Sequence, residues 1–277
     1  MELESIARNL QKRDDGIYYA LDSSPISYPE IGNEYCLQIE KDSFWFNHRN
    51  RVIVEAVKKY SKDKMFFDIG GGNGYVSLGL QEAGVDVVLV EPGPVGSLNA
   101  KKRGIDHVIC STLQDAKFEK ASLDTVGMFD VVEHIENDVE FLRETNEYLK
   151  EDGMVYITVP AFNFLWSNED KEAGHYRRYS LSMMEKALNK ANFDVVYSTY
   201  IFTVLPLPIF FFRVIPSKLG MNKDAYGLEK RQKEHKSRKG MMHNTLQKIW
   251  DWELEQVKKG EKIGFGGSCF VVGRKKN

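Results

Sequence analysis

Apolar and polar positions alternate along this chain in a regular order from about residue 48 to residue 200. Short apolar runs of strand length are each followed by a stretch in which apolar residues recur every three or four positions. That second spacing belongs to a helix packed on one face. The runs predict strands over 65–69, 85–90, 107–110, 125–129, 154–159 and 193–200. The helical spacing predicts helices over 48–60, 75–83, 95–102, 138–149 and 181–191. Val52, Ile53, Ala56 and Val57 form the apolar stripe of the first. Gly153 marks the stop of the 138–149 helix ahead of the next strand. Strand and helix in alternation imply a mostly parallel sheet with helices on both faces, an α/β architecture.

The rhythm fails in two places. Residues 1–47 are aromatic-rich and broken by Gly16, Pro25, Pro29 and Gly32, which predicts an irregular lead-in or cap. Residues 201–245 begin with an apolar run interrupted by Pro206, Pro208 and Pro216. A basic run follows, with Lys230, Arg231, Lys233, Lys236, Arg238 and Lys239. A helix over 243–258 and a strand over 268–272 resume the pattern. The organisation expected is a lead-in at 1–47, a core at 48–200, an insertion at 201–245, and a final helix and strand of the core at 246–277.

Composition narrows this little. With 277 residues, 42% hydrophobic and 28% charged, the chain supports a full globular core. A net charge of −2 argues against a dedicated nucleic-acid binder, which carries a basic surplus. Cys36, Cys110 and Cys269 lie far apart, and no HExxH or clustered Cys/His spacing occurs, so no metal site is expected. The charged start and the lack of a long uninterrupted apolar run predict a cytoplasmic protein without a membrane span.

The chemistry concentrates between Met65 and Pro92. A strand there runs into Gly70, Gly71, Gly72 and Gly74, a helix follows, and the next strand ends on Glu91. Glycines let a ligand approach where a Cβ would collide. The helix start offers free N–H groups, and an acid ending the second strand accepts hydrogen bonds from ribose hydroxyls. This is a β-α-β unit for a nucleoside-bearing cofactor. A dinucleotide loop, GxGxxG, is matched only imperfectly. From Gly70 the third glycine falls on Tyr75, and from Gly72 on Ser77. Asp68 ahead of Gly70, Gly72 and Gly74 makes a second pattern, an acid followed by GxGxG.

That second pattern resembles the first motif of the class I S-adenosylmethionine-dependent methyltransferases. Ser122-Leu123-Asp124, continued by Phe129-Asp130-Val131-Val132-Glu133-His134-Ile135, is similar to the family's fourth-strand segment. Residues 153–160, from Gly153 to Pro160, are similar to its fifth. The resemblance covers about residues 44–200 and the last strand, within the group related to quinone-biosynthesis methyltransferases. Gly174-His175-Tyr176-Arg177-Arg178-Tyr179 resembles a subgroup associated with cell-surface glycan or lipid pathways. It implies a Rossmann-like, doubly wound, mostly parallel sheet of seven strands, the last antiparallel. It also implies S-adenosyl-L-methionine as cofactor.

Carried over residue by residue, the resemblance has Asp68, Gly70, Gly72 and Gly74 shape the cofactor loop and Glu91 hold the ribose. Thr112 stands where many relatives carry an acid for the adenine amino group, and Leu113 and Phe129 are expected to flank the ring. Phe44, Trp45 and Arg49 lie where relatives close over the cofactor, so Arg49 is expected to pair with its carboxylate. His134, with His175 as second candidate, is the expected general base. Glu133 reads as structural. Trp166, Tyr176, Arg177, Arg178 and Tyr179 are expected to line the acceptor, with the two arginines clamping an anionic group.

The reaction this implies is methyl transfer to a hydroxyl, less readily an amine, of a small-molecule, glycan or lipid-linked acceptor. A dinucleotide-dependent oxidoreductase and a non-catalytic cofactor-binding protein remain alternatives. The chain is expected to be a monomer or homodimer. Residues 201–215 are expected to serve as a lid, an interface or a peripheral contact with the inner membrane face.

Overall fold

The computed structural model describes residues 3–22, 36–61, 63–220 and 241–276. Its strands are β1 (Leu10–Lys12), β2 (Tyr18–Ala20), β3 (Phe66–Ile69), β4 (Val87–Val90) and β5 (His107–Cys110). They continue with β6 (Leu123–Phe129), β7 (Leu149–Pro160), β8 (Phe193–Ile201) and β9 (Ser268–Lys275). All lie in one sheet in the order β1-β2-β5-β4-β3-β6-β7-β9-β8. Strands β3 to β7 pair in parallel, and β9 inserts antiparallel between β7 and β8. The chain moves outward from β3 through β4 to β5, then returns to the other side of β3 with β6. Such a reversal opens a crevice at the carboxyl ends of the strands, where α/β sheets bind ligands.

Side-chain alternation sends successive residues of each strand to opposite faces. Phe67, Ile69, Val126 and Met128 join one core cluster with Leu142, Met184 and Leu188 of helices Asp138–Tyr148 and Leu181–Lys190. Phe66, Phe129, Tyr156 and Phe270 join another with Val52, Ile53, Ala56 and Val57 of helix Phe44–Tyr60 and Leu254 of helix Met241–Lys259.

Three expectations change. The core has its seven strands, but the lead-in adds two more, since β1 and β2 form a hairpin closed around Gly16, with Arg13 donating to the Ile17 carbonyl. Strand β2 pairs in parallel with β5 and covers an edge otherwise left with unpaired backbone groups. Asp15-Gly16 is the turn signal that marked this hairpin. The helix predicted to stop at Gly153 ends at Tyr148, and β7 starts at Leu149 with a bulge opposite β6. Gly153 lies within β7, where a Cβ would stand 2.8 Å from the Lys150 carbonyl oxygen. Finally, residues 206–218 are helical throughout, with a wider π-type turn at Phe210–Val214. Pro206 and Pro208 fall in the first turn, where no intrahelical donor is needed. The basic run at 230–239 lies outside the described residues. No described helix is long and apolar enough to cross a membrane.

Candidate functional site

The glycine loop bridges β3 and helix Tyr75–Glu82. Gly70 has φ +69°, and a Cβ there would stand 2.8 Å from Val131. A Cβ on Gly71 would stand 2.7 Å from the Asp68 carboxylate beneath the loop. Asp68 is fully buried and accepts the Ser77 hydroxyl at 2.7 Å. Burial pushes its carboxyl up to about 6, against the opposing pull of Ser77 and Arg49. Ser77, which stands in place of the third dinucleotide glycine, thus fastens the helix to the strand before it. Glu91 clamps the loop from the other side. Its carboxylate accepts the Gly72 amide at 2.9 Å and the Gly93 amide at 2.8 Å.

A second layer folds over the loop. Glu40 accepts from Asn73 at 3.3 Å and pairs with Arg103 at 2.7 Å, so the segment before helix Phe44–Tyr60 is latched to the loop. Ser43 caps that helix, its hydroxyl accepting the Phe46 amide at 3.4 Å. One turn on, Arg49 lies over the Trp45 ring at 4.3 Å and pairs with Asp130. Its Nε is buried and has no hydrogen-bond partner. Arg49 therefore holds Asp130 and still carries one unsatisfied donor, which fits the carboxylate expected there.

Asp130 itself sits in the left-handed region, φ 58°, directly after β6. Phe162 and Phe202, just beyond β7 and β8, do the same at φ 59° and 63°. Such a sparsely populated backbone conformation costs a residue other than glycine about 1–3 kcal/mol.

The expected adenine neighbours separate. Leu113 and Phe129 are both buried and join separate core clusters. Strand alternation sets the direction of Phe129, and the turn after β5 buries Leu113. The Thr112 hydroxyl caps that turn, accepting the Asp115 amide at 2.9 Å.

At the carboxyl edge beyond β6 the sheet gathers a polar cluster. His134 and His175 meet edge to face with ring centroids 4.8 Å apart. Burial, then the neighbouring His175, pushes His134 down to about 4, so its imidazole is neutral near pH 7. His175 Nδ1 lies 2.9 Å from Asp170 Oδ1. Burial alone would raise the Asp170 carboxyl, but bonds from His175 and Arg178 hold it below the usual carboxylate range. Glu133 is fully buried and neither of its carboxylate oxygens has a hydrogen-bond partner. Burial, with Asp130 nearby, holds it well above the ordinary carboxylate range.

The arginine pair does not form a clamp. Tyr179 bridges to Ala161 as in a parallel sheet, and alternation on this extended segment turns neighbouring side chains apart. Arg178 is buried and donates to Asp170 at 2.8 Å and to the Ala161 carbonyl. Arg177 pairs with Asp138 at 2.9 Å, and the Tyr179 hydroxyl donates to the same carboxylate at 2.8 Å. Arg177, Arg178 and Tyr179 therefore anchor the loop, while Tyr176 is exposed and Trp166 half-buried after the turn Asn163–Leu165. Asp170 was not singled out from the sequence. The signal available was Ser167-x-x-Asp170, the spacing of the helix cap that the structure shows.

A model of the methyltransferase domain family matches residues 45–198. A probable S-adenosylmethionine-dependent methyltransferase of Mycobacterium tuberculosis (strain ATCC 25618 / H37Rv) is 22% identical over 157 residues, 53% of this chain and 54% of the relative. The chain thus spans about half the length of the curated relatives it matches. Among solved structures, the methyltransferase in complex with the Haloferax volcanii Trm112 methyltransferase activator superposes with a TM-score of 0.57 at 15% identity. That match covers 90% of this chain and 96% of the other. Haemonchus contortus phosphoethanolamine N-methyltransferase 2, bound to phosphomonomethylethanolamine and S-adenosylhomocysteine, gives 0.57 at 17%, covering 90% and 59%. At these identities the structures show a shared fold.

Proposed function

Because the chain belongs to the methyltransferase domain family, we propose that it transfers a methyl group from S-adenosylmethionine to a hydroxyl of a small-molecule, glycan or lipid-linked acceptor, an amine being the less favoured nucleophile. The observation that carries the reading is the buried, unsatisfied Nε of Arg49 beside a glycine loop clamped by Glu91. A buried donor without an acceptor costs about 1–3 kcal/mol, and a ligand carboxylate removes that cost.

When bound, the cofactor supplies an electrophilic methyl on a sulfonium. The chain's own residues bind and orient. Gly70 and Gly71 keep the loop in a turn that a side chain against Val131 or Asp68 would disrupt, Glu91 takes the ribose hydroxyls, and Arg49 takes the carboxylate. Thr112 stands by the base. Orientation of the two reacting groups supplies much of the rate, since a displacement needs a near-linear approach. His134 and His175 activate the acceptor hydroxyl at the carboxyl edge. A side chain as weakly basic as His134 is a poor lone proton acceptor at neutral pH, so His175, oriented by Asp170, is the better placed of the two.

A lipid-linked acceptor is favoured by the aromatic path beside this edge. Phe162 stacks on Tyr200 and Phe164, Phe164 meets Phe210, and Phe210 meets Phe211. The path ends at Leu207, Phe211, Phe212 and Leu219, all exposed on helix 206–218 or directly after it. Isothermal calorimetry with S-adenosylmethionine and S-adenosylhomocysteine tests the donor. Both are expected to bind, and Arg49→Gln is expected to weaken them roughly 10- to 100-fold, about 1.4–2.8 kcal/mol. Binding of NADH with no response to either compound would reject the reading.

A further inference from the structure

We infer that the chain binds a divalent transition-metal ion between Glu133, His134 and His175. The three donor atoms lie within 4.8 Å of one another. Ligands of one ion at about 2.0–2.2 Å stand roughly 3–3.5 Å apart, so the ion draws the three inward by about an ångström.

Glu133 supplies the strongest observation. It is a completely buried acid whose two oxygens have no partner on any other described residue, next to two imidazoles. The other acids around it are matched. Asp130 pairs with Arg49, and Asp170 pairs with Arg178. Glu133 alone of these three has no ion-pair partner among the described residues. Burying an unpaired carboxyl is costly, and coordination to a metal is one of the few arrangements that repays it.

The imidazoles are prepared for the same task. Asp170 engages Nδ1 of His175, which leaves Nε2 as the coordinating atom and fixes the ring. A carboxylate behind a ligating histidine is the usual outer support of such sites. Arg178 and the Ser167 amide in turn hold Asp170 in place. The His134 ring stands edge to face with His175, its centroid 4.8 Å away, so both imidazoles border the same point. One carboxylate and two imidazoles suit zinc, iron, cobalt or nickel better than magnesium or calcium, which favour oxygen ligands.

The sequence hides the cluster, because Glu133 and His134 follow β6 while His175 follows β7, each beyond the carboxyl end of its strand. Glu133 lies deep and the two imidazoles are partly exposed, so open coordination positions face outward. There the ion would lower the pKa of an acceptor hydroxyl, replacing the proton-acceptor role of His175, whose Nε2 it would occupy. That role rests on the methyltransferase reading. The binding of the ion does not.

The full chain, stripped with chelator and titrated with Co2+, is expected to take up one equivalent and develop visible ligand-field absorption that Zn2+ displaces. His134→Ala, His175→Ala and Glu133→Gln should each weaken binding at least tenfold while S-adenosylhomocysteine affinity by calorimetry stays within about twofold of the parent chain. In the unaltered protein, Zn2+ should protect His134 and His175 from diethyl pyrocarbonate, read by peptide mass mapping. That readout stands even if a variant fails to fold. No Co2+ uptake, unchanged uptake in the folded variants, or equal labelling with and without Zn2+ each overturns the inference. Metal is measured without cofactor and cofactor without metal, so failure of one leaves the other reading intact.

Discussion

Asp68 shows how one side chain couples the site to stability. Its carboxyl is raised to about 6 by burial, from an ordinary value near 4. A raised acid holds its proton longer in the folded state than in the unfolded chain. Its contribution is complete below about pH 4 and is lost as pH rises through about 6. The loss amounts to about 3 kcal/mol. Asp68→Asn, which keeps an acceptor for Ser77, should therefore narrow the stability gap between pH 4 and pH 7 by about that amount. Urea unfolding at the two pH values measures it, and an unchanged gap would show that Asp68 does not titrate in this range. The same burial explains why position 71 of the loop is a glycine. Any side chain there meets the Asp68 carboxylate or Leu89.

Among elements, helix Met241–Lys259 has the most to hold in place. Its Glu253, fully buried, accepts from His48 at 2.8 Å, the Phe202 and Thr203 amides at 2.9 and 2.7 Å, and the Thr203 hydroxyl at 2.6 Å. One carboxylate thus ties the last helix to the end of β8 and to the helix that carries Arg49. Burial would raise Glu253, but bonds from His48 and Thr203 hold it below the ordinary range. Glu253→Gln loses charge-assisted bonds worth about 1.5–3 kcal/mol each, partly replaced by the amide. A net cost of about 2–4 kcal/mol is expected by urea unfolding at pH 7. Because a depressed acid contributes above its unfolded pKa, the gap between variant and parent should shrink as pH falls below about 4. A variant as stable as the parent would show that packing alone seats this helix.

At the scale of the molecule, helix 206–218 stands out for the apolar side chains it leaves exposed. Exposed Leu207, Phe211, Phe212 and Leu219 within 13 residues are the kind of apolar surface that marks a lipid or protein contact. Arg213 is neutralised by Glu169 at 2.7 Å, so the patch carries little charge of its own. Sedimentation with anionic liposomes is expected to pellet the chain, and Phe211→Asp with Phe212→Asp to leave it in the supernatant. Equal recovery of both forms would remove the membrane from the account.

Much of this molecule was legible from residue order alone, because its signals are local. Hydrophobic period sets strand against helix within a few residues, and the alternation implies a parallel sheet. The glycine loop with Asp68 and Glu91 falls within one β-α-β unit. What the order of residues could not decide depends on which way side chains point once distant segments meet. Arg177 and Arg178 look like a pair in sequence and separate in space, since an extended segment turns neighbours apart. Leu113 and Phe129 look like partners in sequence and pack into separate core clusters. Arg49 reads as a cofactor ligand, and only the fold shows that it also holds Asp130. Glu133, His134 and His175 carry no shared spacing, and only the parallel placement of β6 and β7 brings them together. Local periodicity is written in the chain, whereas convergence at a sheet edge is a property of topology.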